Sequence, residues 1–258
     1  MKIATWNINS VRLRTENLVR YLREAKPDVL CLQELKCLND GFPQAEVEAE
    51  GYNAAVHGQK ALNGVAILSK SPVEVARGLP GDPDDLQARY IEAVVPWDKG
   101  IVRVASIYLP NGNPPATAKY AYKLAFMDRL IAHAKHLLEF EEPLVLAGDY
   151  NVIPAPRDCT DPAAWEGDAL FLPEVRARFR CLLYLGLTDA LRASSDDSTL
   201  YTFWDYQAAS WQRNKGLRID HLLLSPLAAD RLAGVRIDKA RRAEEKPSDH
   251  VPVEIELV

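Results

Sequence analysis

Cysteine is scarce in this sequence, and no apolar run is long. The four cysteines among 258 residues are Cys31, Cys37, Cys159 and Cys181. Their spacing is unlike that of a zinc site, and they are too few for a disulfide scaffold. No apolar run reaches the ~18 residues that a membrane span needs, and the start, MKIATWNINS, lacks the basic and apolar regions of a secretory signal. We therefore expect a soluble protein that works in a reducing, cytoplasmic compartment and does not bind membranes.

The chain also lacks an excess of positive charge. Lys and Arg number 31 and Asp and Glu 36, so the formal net charge at pH 7 is −5. Proteins that bind nucleic acid without specificity are normally basic. A protein of this charge that handles a polyanion needs a local basic surface or a bound metal ion.

Short apolar segments alternate with helical patterns along most of the chain. Apolar runs typical of strands occur at 2–8, 28–33, 52–57, 64–69, 73–77, 89–95, 101–109, 143–151, 200–204, 217–224, 234–239 and 251–257. The three-and-four spacing of amphipathic helices occurs at 15–25, 117–140 and 172–185. The stretch 153–168, rich in Pro and Asp, is predicted as a surface loop. Since no segment resembles a linker, we expect a single α/β domain over residues 1–258, with mixed sheets packed face to face.

Polar side chains stand at the ends of several predicted strands. These side chains are Asn7, Glu34, Asp149, Asn151, Asp220, Asp249 and His250. A lone Asp after a strand is usually a helix cap or a turn former. Several such residues in one chain can instead converge at one edge of a sheet, where they need not be buried without partners.

The residues at these strand ends share one chemistry. Carboxylates and amides with a single histidine and no thiolate are hard ligands, which suit Mg²⁺ or Mn²⁺ better than Zn²⁺. The sequence has no HExxH motif, no CxxC pair and no glycine-rich phosphate loop. We therefore expect a divalent-metal site built from oxygen ligands.

Basic and aromatic residues lie mostly in the predicted loops near the same strand ends. Lys36, Lys119 and Lys123 are among the cations, and Trp204 and Trp211 are among the aromatic residues. Loop cations can hold a phosphate backbone, and aromatic side chains can wedge against bases. The alternative is that scattered cations only keep the surface soluble.

Seven motifs together resemble the exonuclease III family, the bacterial-type apurinic/apyrimidinic endonucleases of the endonuclease/exonuclease/phosphatase superfamily. The motifs are WNIN, LQELK, HGQK…NGVAILSK, IYLPNG, GDYN, WDYQ…NKGLRIDHLLLS and EKPSDH. They occur in the order of the family and extend over essentially the whole chain. The resemblance implies a DNase I-like fold, a four-layer α/β sandwich of two packed mixed sheets flanked by helices. It also implies a DNA-repair hydrolase that incises 5′ to abasic sites, degrades duplex DNA as a 3′→5′ exonuclease and trims blocked 3′ ends as a phosphodiesterase or phosphatase.

The resemblance assigns roles to the acidic and amide residues. Glu34 corresponds to the main metal ligand, with Asn7 beside it and Asp249 as a further acidic ligand or a neighbour of the metal. The implied ion is Mg²⁺, with Mn²⁺ as an alternative. Asp149 corresponds to the residue that orients or deprotonates the attacking water, and Asn151 corresponds to a partner of that water and of the phosphate.

Further roles follow from the same resemblance. Tyr108 corresponds to a tyrosine at the scissile phosphate or leaving oxygen, and His250 to a phosphate-binding histidine that Asp220 holds. The implied DNA contacts are Arg89, Asn111, Lys119, Lys123, Trp204 and Trp211. The expected partner is duplex DNA with abasic sites or blocked 3′ ends, bound by a monomer.

Two other functions stay open at this point. One is a phosphatase or phosphodiesterase of the same superfamily that acts on inositol phosphates or lipid head groups, although the loop aromatics and the NKGLRIDHLLLS segment favour DNA. The other is a non-catalytic regulator that binds nucleic acid on the same scaffold. Loss of the metal carboxylates would mark such a regulator, and this chain keeps Glu34, Asp149 and Asp249.

Overall fold

The computed structural model describes residues 1–258 and contains twelve strands and six α-helices. The strands are β1 (Lys2–Asn7), β2 (Val29–Gln33), β3 (Asn53–His57), β4 (Val65–Ser69), β5 (Val75–Arg77), β6 (Tyr90–Trp97), β7 (Gly100–Tyr108), β8 (Leu144–Asp149), β9 (Thr188–Asp189), β10 (Asp220–Leu224), β11 (Leu232–Ile237) and β12 (Val253–Leu257). The helices are α1 (Thr15–Ala25), α2 (Gln44–Ala49), α3 (Ala118–Leu138), α4 (Pro173–Tyr184), α5 (Ala190–Ser194) and α6 (Pro226–Ala229). None of these helices has the length and apolar character required to cross a bilayer.

The strands form two mixed sheets of six strands each. The first sheet has the order β11-β12-β1-β2-β4-β3 and the second the order β5-β6-β7-β8-β10-β9. Their inner faces pack together through residues such as Val29 and Cys31 from the first sheet and Val145 and Leu222 from the second. This confirms the predicted packing of two mixed sheets.

Helices cover the outer face of each sheet. On the first sheet, Leu18 and Leu22 of α1 pack against Leu30 and Leu32 of β2. On the second sheet, α3 and α4 pack against β7 and β8, with Phe126, Leu130 and Phe179 among the buried side chains. Central strands are thus buried on both faces, which explains why they read as continuous apolar runs. The predicted four-layer sandwich is confirmed.

Strand direction brings the polar strand ends to one edge. β1 runs parallel to β2, and β7 runs parallel to β8, so their carboxyl ends lie together. β10 runs antiparallel to β8 and places Asp220 opposite Asp149. β12 runs antiparallel to β1, and the segment that carries Asp249 and His250 directly precedes it. Both sheets therefore present their acidic ends on the same side of the molecule.

Three short helices and one strand differ from the sequence expectation. α2, α5 and α6 contain 6, 5 and 4 residues, which is too short for a helical period to be visible. The predicted strand at 200–204 is wrong, because Phe203 forms only isolated bridges with Leu217 and His250. The predicted loop at 153–168 contains two 3₁₀ turns, Pro156–Asp158 and Pro162–Trp165.

Candidate active site

Asn7 joins carboxylates from the two sheets. Its side-chain amide donates to Glu34 Oε1 and to Asp149 Oδ2, each at 2.9 Å. Glu34 directly follows β2 of the first sheet, and Asp149 ends β8 of the second. Glu34 has a φ of 52°, a left-handed conformation that is uncommon outside glycine and often found at functional sites. The two sheets therefore meet at this edge through one amide between two acids.

His250 and Asp220 form a buried ion pair beside Asp149. The Nδ1 of His250 lies 2.9 Å from Asp220 Oδ2, and its Nε2 lies 3.8 Å from Asp149 Oδ2. Thr202 orients Asp220 by donating its hydroxyl to Asp220 Oδ2 at 2.6 Å. Burial alone would lower the pKa of His250, but the charges of Asp220 and Asp149 outweigh burial and raise this pKa to about 10. The imidazole is therefore protonated at neutral pH.

Asp149 is fully enclosed and has two other carboxylates nearby. Burial raises the pKa of Asp149, and the negative charges of Asp220 and Glu34 raise it further. The charge of His250 and the hydrogen bond from Asn7 oppose this rise without cancelling it. A carboxylate with a raised pKa is a stronger base than an ordinary aspartate. Asp149 is therefore suited to accept a proton from a water molecule.

Asn151 and Tyr108 border Asp149 on its other sides. The backbone N–H of Asn151 donates to Asp149 Oδ1 at 2.9 Å, and its side-chain amide donates to the carbonyl of Leu109 at 3.0 Å. Tyr108 ends β7 opposite Asp149. Burial and the negative charges of Glu34 and Asp149 raise the pKa of Tyr108 well above its ordinary value. The phenol therefore stays protonated and can act as a hydrogen-bond donor.

The carboxylates at this edge fit a divalent metal ion. Glu34, Asp149 and His250 each offer one ligand atom, and these atoms lie within 4.8 Å of one another. His250 is protonated and bound to Asp220, so the two carboxylates are the groups that could hold a metal ion. Their mutual repulsion raises the pKa of Asp149, and a cation between them would offset that repulsion. Hard oxygen donors of this kind suit Mg²⁺ and Mn²⁺.

The other two predicted metal ligands, Asn7 and Asp249, each direct a side-chain oxygen to Asn9. Asn7 turns its amide nitrogen to the carboxylates, while its Oδ1 accepts the backbone N–H of Asn9 at 3.0 Å. Asp249 lies outside the ligand group, and its Oδ1 accepts the side-chain amide of Asn9 at 2.9 Å. Lys36 Nζ lies 2.9 Å from Glu34 Oε2 and donates to Asn9 Oδ1 at 2.7 Å. Direct ligation by Asn7 or Asp249 stays a prediction.

Two residues belong to this site that the sequence did not single out. Asn9 links Lys36 to Asp249, and its only signal was its place in the WNIN motif. Thr202 orients Asp220 through a hydroxyl contributed by a segment without regular structure. No local pattern marks such a threonine, because its function depends on a strand that lies elsewhere in the chain.

The residues predicted to contact DNA occupy very different environments. Asn111 and Lys119 are exposed, while Arg89 and Trp211 are partly exposed. The guanidinium of Arg89 lies 4.9 Å from the ring centre of Tyr108, which places Arg89 at the rim of the acidic edge. DNA contacts by these four residues stay predictions.

Two of the predicted DNA contacts are wrong. Trp204 is 0% exposed, its ring packs edge-on against Trp211, and its indole N–H donates to Asn214. Lys123 is also 0% exposed, and burial lowers its pKa to about 7. Neither side chain has any surface to offer a DNA strand. Both predictions failed because composition near a strand end does not reveal which way a side chain points.

Known proteins resemble this chain in sequence and in architecture. The pattern of the endonuclease/exonuclease/phosphatase family matches residues 4–250. The chain is 35% identical to exodeoxyribonuclease III of Haemophilus influenzae over 262 aligned residues, which cover 98% of each sequence. The 3′ phosphatase NExo from Neisseria, solved with a product DNA hairpin, superposes with a TM-score of 0.96 at 42% identity and covers 100% of this chain and 99% of that one.

An AP endonuclease from Archaeoglobus fulgidus gives a TM-score of 0.93 at 36% identity, with coverage of 100% of this chain and 99% of that one. These likenesses extend over nearly the full length of the chain. The chain belongs to the endonuclease/exonuclease/phosphatase family and, within it, to the exodeoxyribonuclease III group.

Proposed function

We propose that this protein is a metal-dependent DNA-repair nuclease that incises duplex DNA 5′ to abasic sites, degrades it from 3′ ends and removes 3′ blocking groups. The observation that carries the proposal is the setting of Asp149. Its carboxylate accepts hydrogen bonds from Asn7 and Asn151 and lies 3.8 Å from the protonated His250. A base and a fixed positive charge are thus side by side, as hydrolysis of a phosphodiester requires.

Each side chain has a distinct task in this hydrolysis. Asp149 aligns a water molecule and takes its proton as the water attacks phosphorus. The imidazolium of His250 offsets the charge that develops on the phosphoryl oxygens, and the phenol of Tyr108 donates a hydrogen bond to the phosphate or the leaving oxygen. One such group is typically worth about 3–4 kcal/mol in the transition state, or about 10²–10³ in rate.

The carboxylate of Glu34 would hold the metal ion, with Asn7 and Asp249 close by. We propose Mg²⁺, with Mn²⁺ as a substitute, because the site offers carboxylate oxygens and no thiolate. When bound, the ion would act as a Lewis acid toward a phosphate oxygen. Lys36 holds the carboxylate of Glu34 in place through its 2.9 Å contact.

The chemistry of the relatives supports duplex DNA as the substrate. Proteins similar to this chain over nearly its whole length are an exodeoxyribonuclease III, a 3′ phosphatase solved with a DNA hairpin and an AP endonuclease. We propose that residues 1–258 act as one domain and as a monomer, since both sheets contribute acidic groups to the same edge.

A labelled duplex with one abasic site tests the proposal directly. We expect Mg²⁺-dependent incision beside the lesion and 3′-end shortening of an intact duplex, both resolved on a denaturing gel and both abolished by EDTA. A duplex with a 3′ phosphate reports the end-trimming activity. Hydrolysis of inositol phosphates without cleavage of any DNA would replace this proposal by the phosphatase alternative. Binding of DNA without cleavage, in the presence of metal, would favour the regulator.

A further inference from the structure

A buried lysine lies behind the acidic edge, on the second turn of α3. Lys123 is 0% exposed and forms no ion pair. Its ammonium donates to two backbone carbonyls, that of Asn151 at 2.6 Å and that of Asn111 at 3.0 Å. A buried charge is costly unless it is well paired. This cost indicates that the ammonium of Lys123 has a function beyond filling space in the core.

The two carbonyls belong to the two loops that border Asp149. Asn111 lies in the loop after β7, and Asn151 lies in the loop after β8. Their side chains also meet, because the amide of Asn111 donates to Asn151 Oδ1 at 3.2 Å. Lys123 thus makes the second connection between the same two residues, this time through their backbones.

The fold makes room for the stem of this lysine. Gly112 has a φ of 86°, and a Cβ added there would lie 2.6 Å from Lys123 Cδ. The same loop is anchored on its far side, where the amide of Asn113 donates to both carboxylate oxygens of Asp168 at 3.1 Å. The loop that carries Asn111 is therefore held from two directions, and Lys123 is the connection that faces the reacting groups.

We propose that Lys123 is a positioning residue for the reaction: its ammonium holds the loop of Asn151 against the loop of Asn111 and so keeps Asn151 in place beside Asp149. Asn151 contacts Asp149 twice, through its backbone N–H at 2.9 Å and its side-chain amide at 3.3 Å. A displacement of the Asn151 carbonyl would therefore turn the carboxylate that orients the water. This inference rests on the proposed nuclease function.

The test compares three lysine-to-methionine variants of the same helix. Lys123→Met removes the ammonium and keeps most of the stem. Lys119→Met removes an exposed cation one turn earlier, at a predicted DNA contact, and Lys135→Met removes an exposed cation near the far end of the helix. The measurements are kcat and KM on the abasic duplex with Mg²⁺, the DNA Kd in EDTA, and the melting temperature.

We expect Lys123→Met to lower kcat about tenfold or more, because small misplacements of reacting groups have effects of this size. KM and the DNA Kd should stay within about twofold of the original protein, since the side chain does not reach the surface. Lys119→Met should raise KM and Kd with kcat retained, and Lys135→Met should match the original protein in every measurement.

A double-mutant cycle separates positioning from a general structural effect. Asn151→Ala removes the side-chain contact with Asp149 and keeps the backbone contact, so Lys123→Met should lower kcat by a smaller factor in this background than in the original protein. Full additivity of the two changes would overturn the proposal, as would an unchanged kcat in Lys123→Met.

Folding of the variants is the remaining control. If Lys123→Met does not fold, Lys123→Gln replaces it, since its amide can still donate to one carbonyl. Failure of both variants to fold would assign Lys123 to stability alone and would also overturn the proposal. An original protein that cleaves no DNA would refute the proposed function instead, so the two failures are distinguishable.

Discussion

The neutral histidine of β10 offers the sharpest test of the electrostatics near the site. His221 is 0% exposed, its Nδ1 lies 3.0 Å from Arg218 Nη1, and its Nε2 lies 3.1 Å from the carbonyl of Val152. The guanidinium can only donate and the carbonyl can only accept, so the ring is a neutral tautomer with its proton on Nε2. Burial and the charge of Arg218 lower the pKa of His221 from 6.5 to about 4.

The sign of the resulting pH effect follows from proton binding. Between the two pKa values the unfolded chain protonates this histidine and the folded chain does not, so stability falls as the pH falls from about 6.5 to about 4. One pKa unit corresponds to about 1.4 kcal/mol, so His221 alone removes about 2 kcal/mol by pH ~5 and about 3 kcal/mol below pH ~4. Above pH ~7 this histidine contributes almost no pH dependence.

Urea unfolding of the protein and of His221→Gln at pH ~7.5 and pH ~5 isolates this contribution. Glutamine keeps one donor and one acceptor but does not titrate. We expect the stability difference between the two proteins to change by about 2 kcal/mol between the two pH values, in favour of the variant at the lower pH. A difference that stays constant would show that His221 is not held neutral and would refute the reasoning.

Three further outcomes follow from the geometry of the site. Asp149→Asn should lower kcat by about 10³ or more while DNA still binds in EDTA, which a gel-shift assay checks; near-normal turnover would remove Asp149 from the reaction. Asp220→Asn should lower kcat about 10²-fold, because His250 loses its carboxylate partner, whereas the matched surface change Asp230→Asn should leave it unchanged. DNA binding should weaken with salt, and Lys119→Met should reduce the slope of log Kd against log salt by about 1; an unchanged slope would exclude a phosphate contact by this lysine.

The predicted helices and strands show where sequence patterns are sufficient. The helix predicted at 15–25 is α1 (Thr15–Ala25), and the strand predicted at 28–33 is β2 (Val29–Gln33). Both have patterns that any sheet covered by a helix requires. The segment 200–204 has residue types equally typical of a strand, yet Phe203 makes only isolated bridges. Its aromatic residues are enclosed by contacts with residues distant in the sequence, and such contacts produce no periodic pattern of apolar residues along the chain.

The same limit explains the tryptophans and the lysines. Trp204 and Trp211 lie in one loop region, but the structure buries the first, whose ring packs edge-on against the partly exposed second. Lys119 and Lys123 are one turn apart on α3, yet one is exposed and the other is enclosed. The direction of a side chain at a loop or a helix end depends on what packs there. The sequence therefore predicted the polar edge of the sheets but not which residues near it are exposed.

By itself, the sequence determined the chemistry of the protein: acidic and amide side chains at the ends of apolar strands, no soft metal ligands, and the motifs of one nuclease family. Only the tertiary structure decided that Asn7 lies between Glu34 and Asp149, that His250 is charged and that Lys123 is a buried connection rather than a DNA contact. The physical reason is that residue types and strand periods are local properties of the chain. Distances between strands of different sheets, and the burial that shifts pKa values, exist only after the two sheets have packed together.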